Sequence, residues 1–326
     1  MKILDFLIYR ARYTAEILGP VSLLMFSALF FYSGALLPET VPEVFASADQ
    51  VLGQVLLLIL VPSFLLTYLV VAQRRSFRLG ERLVGSQLVF ADPADWMQKI
   101  GGRIVLAGTI AGFLFGVFLN LPPEWRNSFS SLSFQVQSIA IGQVVLWTLV
   151  GLVLTYRLHT AWCFYRQGKV VRVDLYDTGK YEPFARNGLD DVFGVTVLLV
   201  VATVQSLDAQ FRLENYMAAW IVAFPAAASL LILPMLSLQR RILAHKRDFI
   251  EEMNRQVADA SRVVEPETLA QLELLMLHRD RIRHASAWPI DLSIASRLIL
   301  YVIIPPLAWL GAAVIEVGLD RILSRS

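Results

Sequence analysis

Residues 51–72 read VLGQVLLLILVPSFLLTYLVVA, and Gln73-Arg74-Arg75 follows at once. These 22 residues carry no charge. A helix of that length spans the hydrocarbon core of a bilayer, about 30 Å thick. The basic residues at its end are the flank expected of a transmembrane helix. Pro62 lies inside the run and does not end it, because neighbouring helices can satisfy the backbone groups that proline frees.

The same pattern recurs outward in both directions. Apolar runs occupy about Ile17–Leu37, Ile104–Leu121, Gln137–Tyr156, Asp191–Leu207, Tyr216–Leu238 and Leu298–Leu319. Across the 326 residues, 56% are hydrophobic, 17% are charged and the mean hydropathy is +0.57. This composition excludes disorder, and a net charge of only +2 excludes a nucleic-acid binder. The single cysteine, Cys163, excludes a disulfide scaffold or a cysteine-based metal cluster. The chain reads as an all-α polytopic membrane helix bundle of six or seven spans. The run from Ile17 is too long for the apolar part of a cleavable signal, so it reads as the first span. Residues 1–16 show apolar positions at helical spacing, an amphipathic interfacial helix.

Charge sets the expected orientation. With the N-terminus cytoplasmic and seven spans, segments on the inside hold 25 of the 29 Lys and Arg. Only Arg126 and Arg212 fall in loops between spans on the outside. Arg321 and Arg325 lie beyond the last run. They would fall outside after a full seventh span, and inside if that run re-enters at Pro305–Pro306. Each half of a re-entrant run is too short to cross, so a kinked span is favoured.

Three regions follow: a six-span region over 1–238, a cytoplasmic segment over 239–290 and a proline-broken final run over 291–326. Within 239–290, two helices with Leu269, Leu272, Leu275, Met276 and Ile282 on the second are expected to pair as an antiparallel hairpin. The stretches 73–103 and 157–190 read as cytoplasmic loops. Phe77, Leu79 and Leu83 look interfacial, and Trp96, Met97 and Ile100 are expected to face the membrane.

The apolar runs hold essentially no ionisable residue in their middles. That argues against a proton pump or charge-coupled carrier, which usually places one there. No internal repeat is visible. No HExxH, P-loop, GxSxG or GxGxxG motif occurs, so neither an enzyme nor a cofactor is expected. His159 and Cys163 are spaced for one helix face, but two ligands do not close a metal site.

Several residues remain as candidates. Gly108, Gly112 and Gly116 form a stripe for close helix contact, within the chain or between subunits. Gln54, Asn120 and Gln143 are neutral polar groups inside spans. They read either as interhelical hydrogen-bonding groups or as the lining of a polar conduit. Pro305 and Pro306 read as a packing kink or a gate, and Glu316 as an interfacial residue or part of a pore mouth. Arg279, Arg281 and Arg283 lie in a basic run near the membrane, a solvated face or an anionic-lipid headgroup site.

Two stretches carry a resemblance. PMLSLQRRILAHKR from Pro234, and the segment from Trp288-Pro-Ile-Asp through Pro305–Pro306 to Arg321, are similar to a pattern in uncharacterised bacterial polytopic membrane proteins. The resemblance implies that the last two spans and the hairpin between them form one unit. It implies no activity. The expected location is a plasma membrane, a bacterial inner membrane by that resemblance. The leading expectation is an oligomeric channel or pore for ions or small solutes, built as a homo-oligomer in the lipid bilayer. The alternative is a non-conducting scaffold or sensor that recruits a cytoplasmic protein partner through 239–290.

Overall fold

The computed structural model describes residues 14–36, 49–97, 101–208, 213–260, 266–284, 288, 296–301, 303–304 and 307. All regular structure among them is helical. The longer helices are α1 (Thr14–Tyr32), α2 (Asp49–Gly85), α3 (Gly102–Phe115), α4 (Phe134–Gly168), α5 (Glu182–Ala202), α6 (Leu213–Ala260) and α7 (Pro266–His284). Five helical segments are long and apolar enough to cross a membrane: Leu52–Gly85, Gly102–Asn120, Phe134–Gly168, Gly179–Gln205 and Ile221–Ala258. A sixth apolar stretch, Ile17–Tyr32, is shorter. The chain is therefore an integral membrane helix bundle. The amphipathic N-terminal helix expected over 1–16 lies outside the described residues but for its last turn, and so does most of the last apolar run, including Pro305, Pro306 and Glu316.

Local chemistry sets several helix ends. Ser133 caps α4, its hydroxyl accepting from the Val136 N–H at 3.5 Å. Asp92 accepts from the Ala94 N–H at 2.9 Å and opens the short helix Pro93–Met97. α3 ends in one π-helical turn, Gly116–Asn120, ahead of Pro122. α2 closes with Gln87 in the left-handed region at φ 57° and a Leu88 N–H to Leu83 C=O bond. That is the usual helix stop with glutamine where glycine is commonest.

Helices α2 and α4 form the centre. α2 packs on α1, α4 and α5, and α4 also packs on α3 and α6. One buried cluster, including Phe30, Leu58, Leu69, Ile139 and Tyr156, fills the apolar section. There helix association rests on van der Waals packing, since lipid is as apolar as leucine. A second cluster lies beyond the apolar runs and includes Leu79, Leu83, Met97, Phe164, Phe184, Leu238 and Ile242. The two expected loops are therefore corrected. α2 continues to Gly85 and α4 to Gly168, so most of 73–85 and 157–168 is helix. Leu79 and Leu83 are buried core rather than interfacial groups. Met97 is buried, and Trp96 stacks edge-on against Phe164 at 5.4 Å, so both face protein rather than membrane.

α6 and α7 pair antiparallel. Arg279 Nη1 lies 3.4 Å from Asn254 Oδ1, and Lys246 Nζ donates to the Arg283 carbonyl at 2.7 Å. Ile282 is buried in the second cluster. Met276 is exposed with Leu274 and Leu277, so the packed face of α7 is narrower than the expected stripe.

Candidate functional site: an intramembrane cavity and its buried polar layer

Three helices carry polar residues in pairs where their apolar runs end. They are Gln73 and Ser76 on α2, Arg157 and Thr160 on α4, and Asn187 and Asp191 on α5. Each pair is spaced three or four residues apart, which places both members on one helix face. All six side chains are buried. They form a layer between the two apolar clusters.

Arg157 is the hub. Its Nε donates to Asp191 Oδ1 at 2.6 Å, with both side chains at most 2% exposed. Nη1 donates to Gln73 Oε1 at 2.9 Å, and Nη2 to Ser76 Oγ at 3.0 Å and Asn187 Oδ1 at 3.4 Å. The Thr160 hydroxyl donates to Gln73 Oε1 at 2.8 Å. The Ser76 hydroxyl lies 2.6 Å from Asn187 Oδ1. The Tyr68 hydroxyl donates to Asp191 Oδ1 at 2.8 Å. Gly194 makes room for this last contact, because a Cβ there would overlap the Tyr68 ring. A charge pair taken out of water is tolerable only with such extra hydrogen bonds. Among the described residues, Asp191 Oδ2 and Asn187 Nδ2 are buried without a partner.

Arg157 and Asp191 lie at the ends of apolar runs rather than in their middles, and both are nonetheless buried inside the bundle. Hydropathy windows end at Tyr156 and begin at Asp191, so they assign Arg157 and Asp191 to span ends. The helices run on, and both side chains turn inward. Three polar pairs at helical spacing were the available signal.

Above this layer is a cavity of about 180 Å³. Tyr68 and Arg157 line one end. Gln54, Asn120, Gln143 and Gln205 also line it. These amides sit toward the opposite ends of α2, α3, α4 and α5. The π-helical turn that ends α3 carries Asn120. Between the amides and Arg157 the lining is apolar, with Leu58, Val61, Leu65, Trp147, Val150 and Leu199. Gln143 Oε1 is buried and has no hydrogen-bond partner among the described residues. Gln137 is placed elsewhere, donating to the Phe129 and Leu132 carbonyls at 3.1 and 3.0 Å.

The glycine stripe is not part of the cavity lining and instead sets the contact between α3 and α4. A Cβ on Gly112 would lie 3.0 Å from Gly151 Cα and overlap the Trp147 carbonyl. One on Gly108 would overlap Thr155 Oγ1, and one on Gly116 would lie 3.1 Å from Val144 Cα. The stripe contacts α4 of the same chain. This approach seats Trp147 against Phe115, with ring centroids 4.4 Å apart, beside the cavity.

The other candidates lie apart. Arg281 and Arg283 are exposed on α7, and Arg279 reaches α6 as described above. His159 Nε2 lies 3.5 Å from Cys163 Sγ, and no group of three His, Cys, Asp or Glu able to hold a metal occurs among the described residues.

Fold and site together define the class: a polytopic membrane bundle with an internal cavity closed by a buried ion-pair layer. The chain matches no protein-family model, no curated protein and no solved structure.

Proposed function

We propose that this membrane protein admits a small solute to a path inside one protomer, entered at the amide end and closed at the Arg157 layer. The observation that carries this reading is the convergence of Gln54, Asn120 and Gln143 on one cavity. An amide that faces lipid is costly, and here three from separate helices face a shared space instead. By the charge distribution, the amide end faces the outside of the plasma membrane and the basic end the cytoplasm. Homo-oligomeric assembly belongs to the same reading.

Reconstitution tests it. Proteoliposomes are assayed for solute flux by light scattering, and planar bilayers for current across a salt gradient. The expected result is flux above empty vesicles that Gln143→Trp, which fills the cavity, abolishes. Absence of both flux and current, with inserted and folded protein, would overturn the reading. The scaffold alternative draws on one observation, the exposed Leu274, Met276 and Leu277 on α7, which offer an apolar face to a cytoplasmic partner.

A further inference from the structure

We infer that the cavity is a binding site for a single-chain amphiphile with an uncharged, hydroxyl-bearing head, the head among the four amides and the chain directed toward Tyr68. The inference rests on the proposed function in taking the cavity as a working site, and it names the class of molecule that occupies it.

Segregation of the lining is the first reason. Gln54 and Tyr68 are separated by 14 residues of continuous helix. At 1.5 Å per residue that is about 21 Å, longer than the roughly 15 Å of one leaflet's hydrocarbon. Amides mark one end of this length, and the middle is apolar. Such a lining matches a molecule with one polar end and a hydrocarbon body. The volume is of the order of the roughly 150 Å³ apolar cavity known to hold a benzene ring. A short chain is therefore the upper limit.

Charge is the second reason. Among the described lining residues only Arg157 is ionic, and its charge is met by Asp191 at 2.6 Å. A carboxylate, phosphate or ammonium head would meet amide dipoles alone in a low-dielectric site, which is strongly unfavourable. A neutral hydroxyl head incurs no such cost. Hydroxyls donate and accept, as do amides, so the two sets of groups can satisfy one another.

The third reason is Gln143. Its side chain lines the cavity, and its Oε1 is buried with no hydrogen-bond partner among the described residues. An orphaned acceptor in the bilayer core is destabilising, and a turn of this amide about its own side chain would offer it to the hydroxyl of a bound head.

Trp147 supplies the test, because it lines the cavity and is 9% exposed. The full-length protein in nanodiscs is titrated with a hexanoyl monoacylglycerol brominated on its chain, and tryptophan quenching is recorded. Trp147→Phe isolates the signal of that residue from the other six tryptophans. A brominated alkyl sulfate and a brominated alkyltrimethylammonium serve as charged comparators.

The expected result is saturable quenching by the monoacylglycerol, lost in Trp147→Phe, with both charged comparators at least tenfold weaker. Gln143→Leu should weaken binding roughly fivefold to tenfold, the loss of about one hydrogen bond, and raise the melting temperature of the empty protein. Val150→Phe should abolish saturable quenching while the melting temperature stays within the range of the other variants. Should that variant fail to fold, Gln143→Leu alone decides. Quenching that does not saturate, persists in Trp147→Phe or is as strong with the charged comparators overturns the inference. So does binding unchanged by Gln143→Leu, which would assign the amide to a buried water. Binding without any flux leaves this inference standing and removes the conduit. Flux without saturable quenching does the reverse.

Discussion

Arg157 depends on every partner it has. Removing one member of a buried charge pair leaves the other unpaired in a medium that cannot hydrate it, at about 3–5 kcal/mol. Arg157→Met is expected to destabilise by that amount, because Asp191 is fully buried. The double replacement Arg157→Met with Asp191→Leu should recover most of the loss, since an apolar pair of similar volume needs no hydration. Unfolding of the three proteins in mild detergent gives the comparison. Equal losses in the single and double variants would show that Asp191 has another source of compensation. The residues of this layer were present in the sequence as spaced polar pairs. They were illegible as a site because apolar-run boundaries separate Arg157 and Asp191 into different loops and spans. Gln54, Asn120 and Gln143 were legible one at a time, since an amide within an apolar run must find protein or water. That they share a cavity depends on helix rotation, which spacing within one run does not determine.

At the scale of elements, the α3–α4 contact is the most sensitive. Gly112 and Gly151 meet backbone to backbone, so Gly112→Leu has no room. It should cost about 1–3 kcal/mol or more, by analogy with overpacked cores. Gly85 is the control, with nothing within 4 Å of its missing Cβ. Gly85→Ala near the end of α2 should stabilise by about 0.4–1 kcal/mol through the unfolded chain. Thermal melts of both variants check the contrast.

The loop between α4 and α5 has its own pH response. Asp174 accepts from Lys180 Nζ at 2.9 Å and from the Tyr176 N–H at 3.0 Å. These bonds, the lysine's first, hold its carboxyl below the ordinary value. The ordering they supply is therefore complete above the ordinary carboxylate pKa, about 3.9. It is lost as pH falls through the lowered folded value. Protection of the Tyr176 amide against exchange, taken relative to a free peptide at the same pH, should fall below about pH 4 in the native chain. In Asp174→Asn it should be low at neutral pH as well.

For the whole molecule, orientation is the first thing to measure. Cys163 is the only cysteine and is buried, so a Cys163→Ser background is blank. Cysteines placed at Ser130 and at Tyr176 stand at opposite ends of α4, both exposed. By charge, Ser130→Cys should react with an impermeant maleimide added to intact cells, and Tyr176→Cys only after lysis. The reverse pattern would invert the orientation. The helical bundle itself was legible, because a run such as 51–72 admits no other fold in a bilayer. Helix lengths were not, since windows of hydropathy end where charge begins and a helix need not.

Those lengths have a mechanical consequence. α2, α4 and α6 contain 37, 35 and 48 residues. At 1.5 Å per residue they are about 55, 52 and 72 Å long, against roughly 30 Å of hydrocarbon. Beyond the apolar section they continue as one body, joined by the second cluster and by Arg241, whose guanidinium grips the Lys169 and Val171 carbonyls at 2.7 Å. Their length beyond the hydrocarbon gives them the geometry of long arms. A tilt of about 10° over an arm of about 30 Å moves the far end by about 5 Å, while the buried end shifts far less. A change of tilt in these helices would therefore appear, enlarged, at the end where α7 is docked.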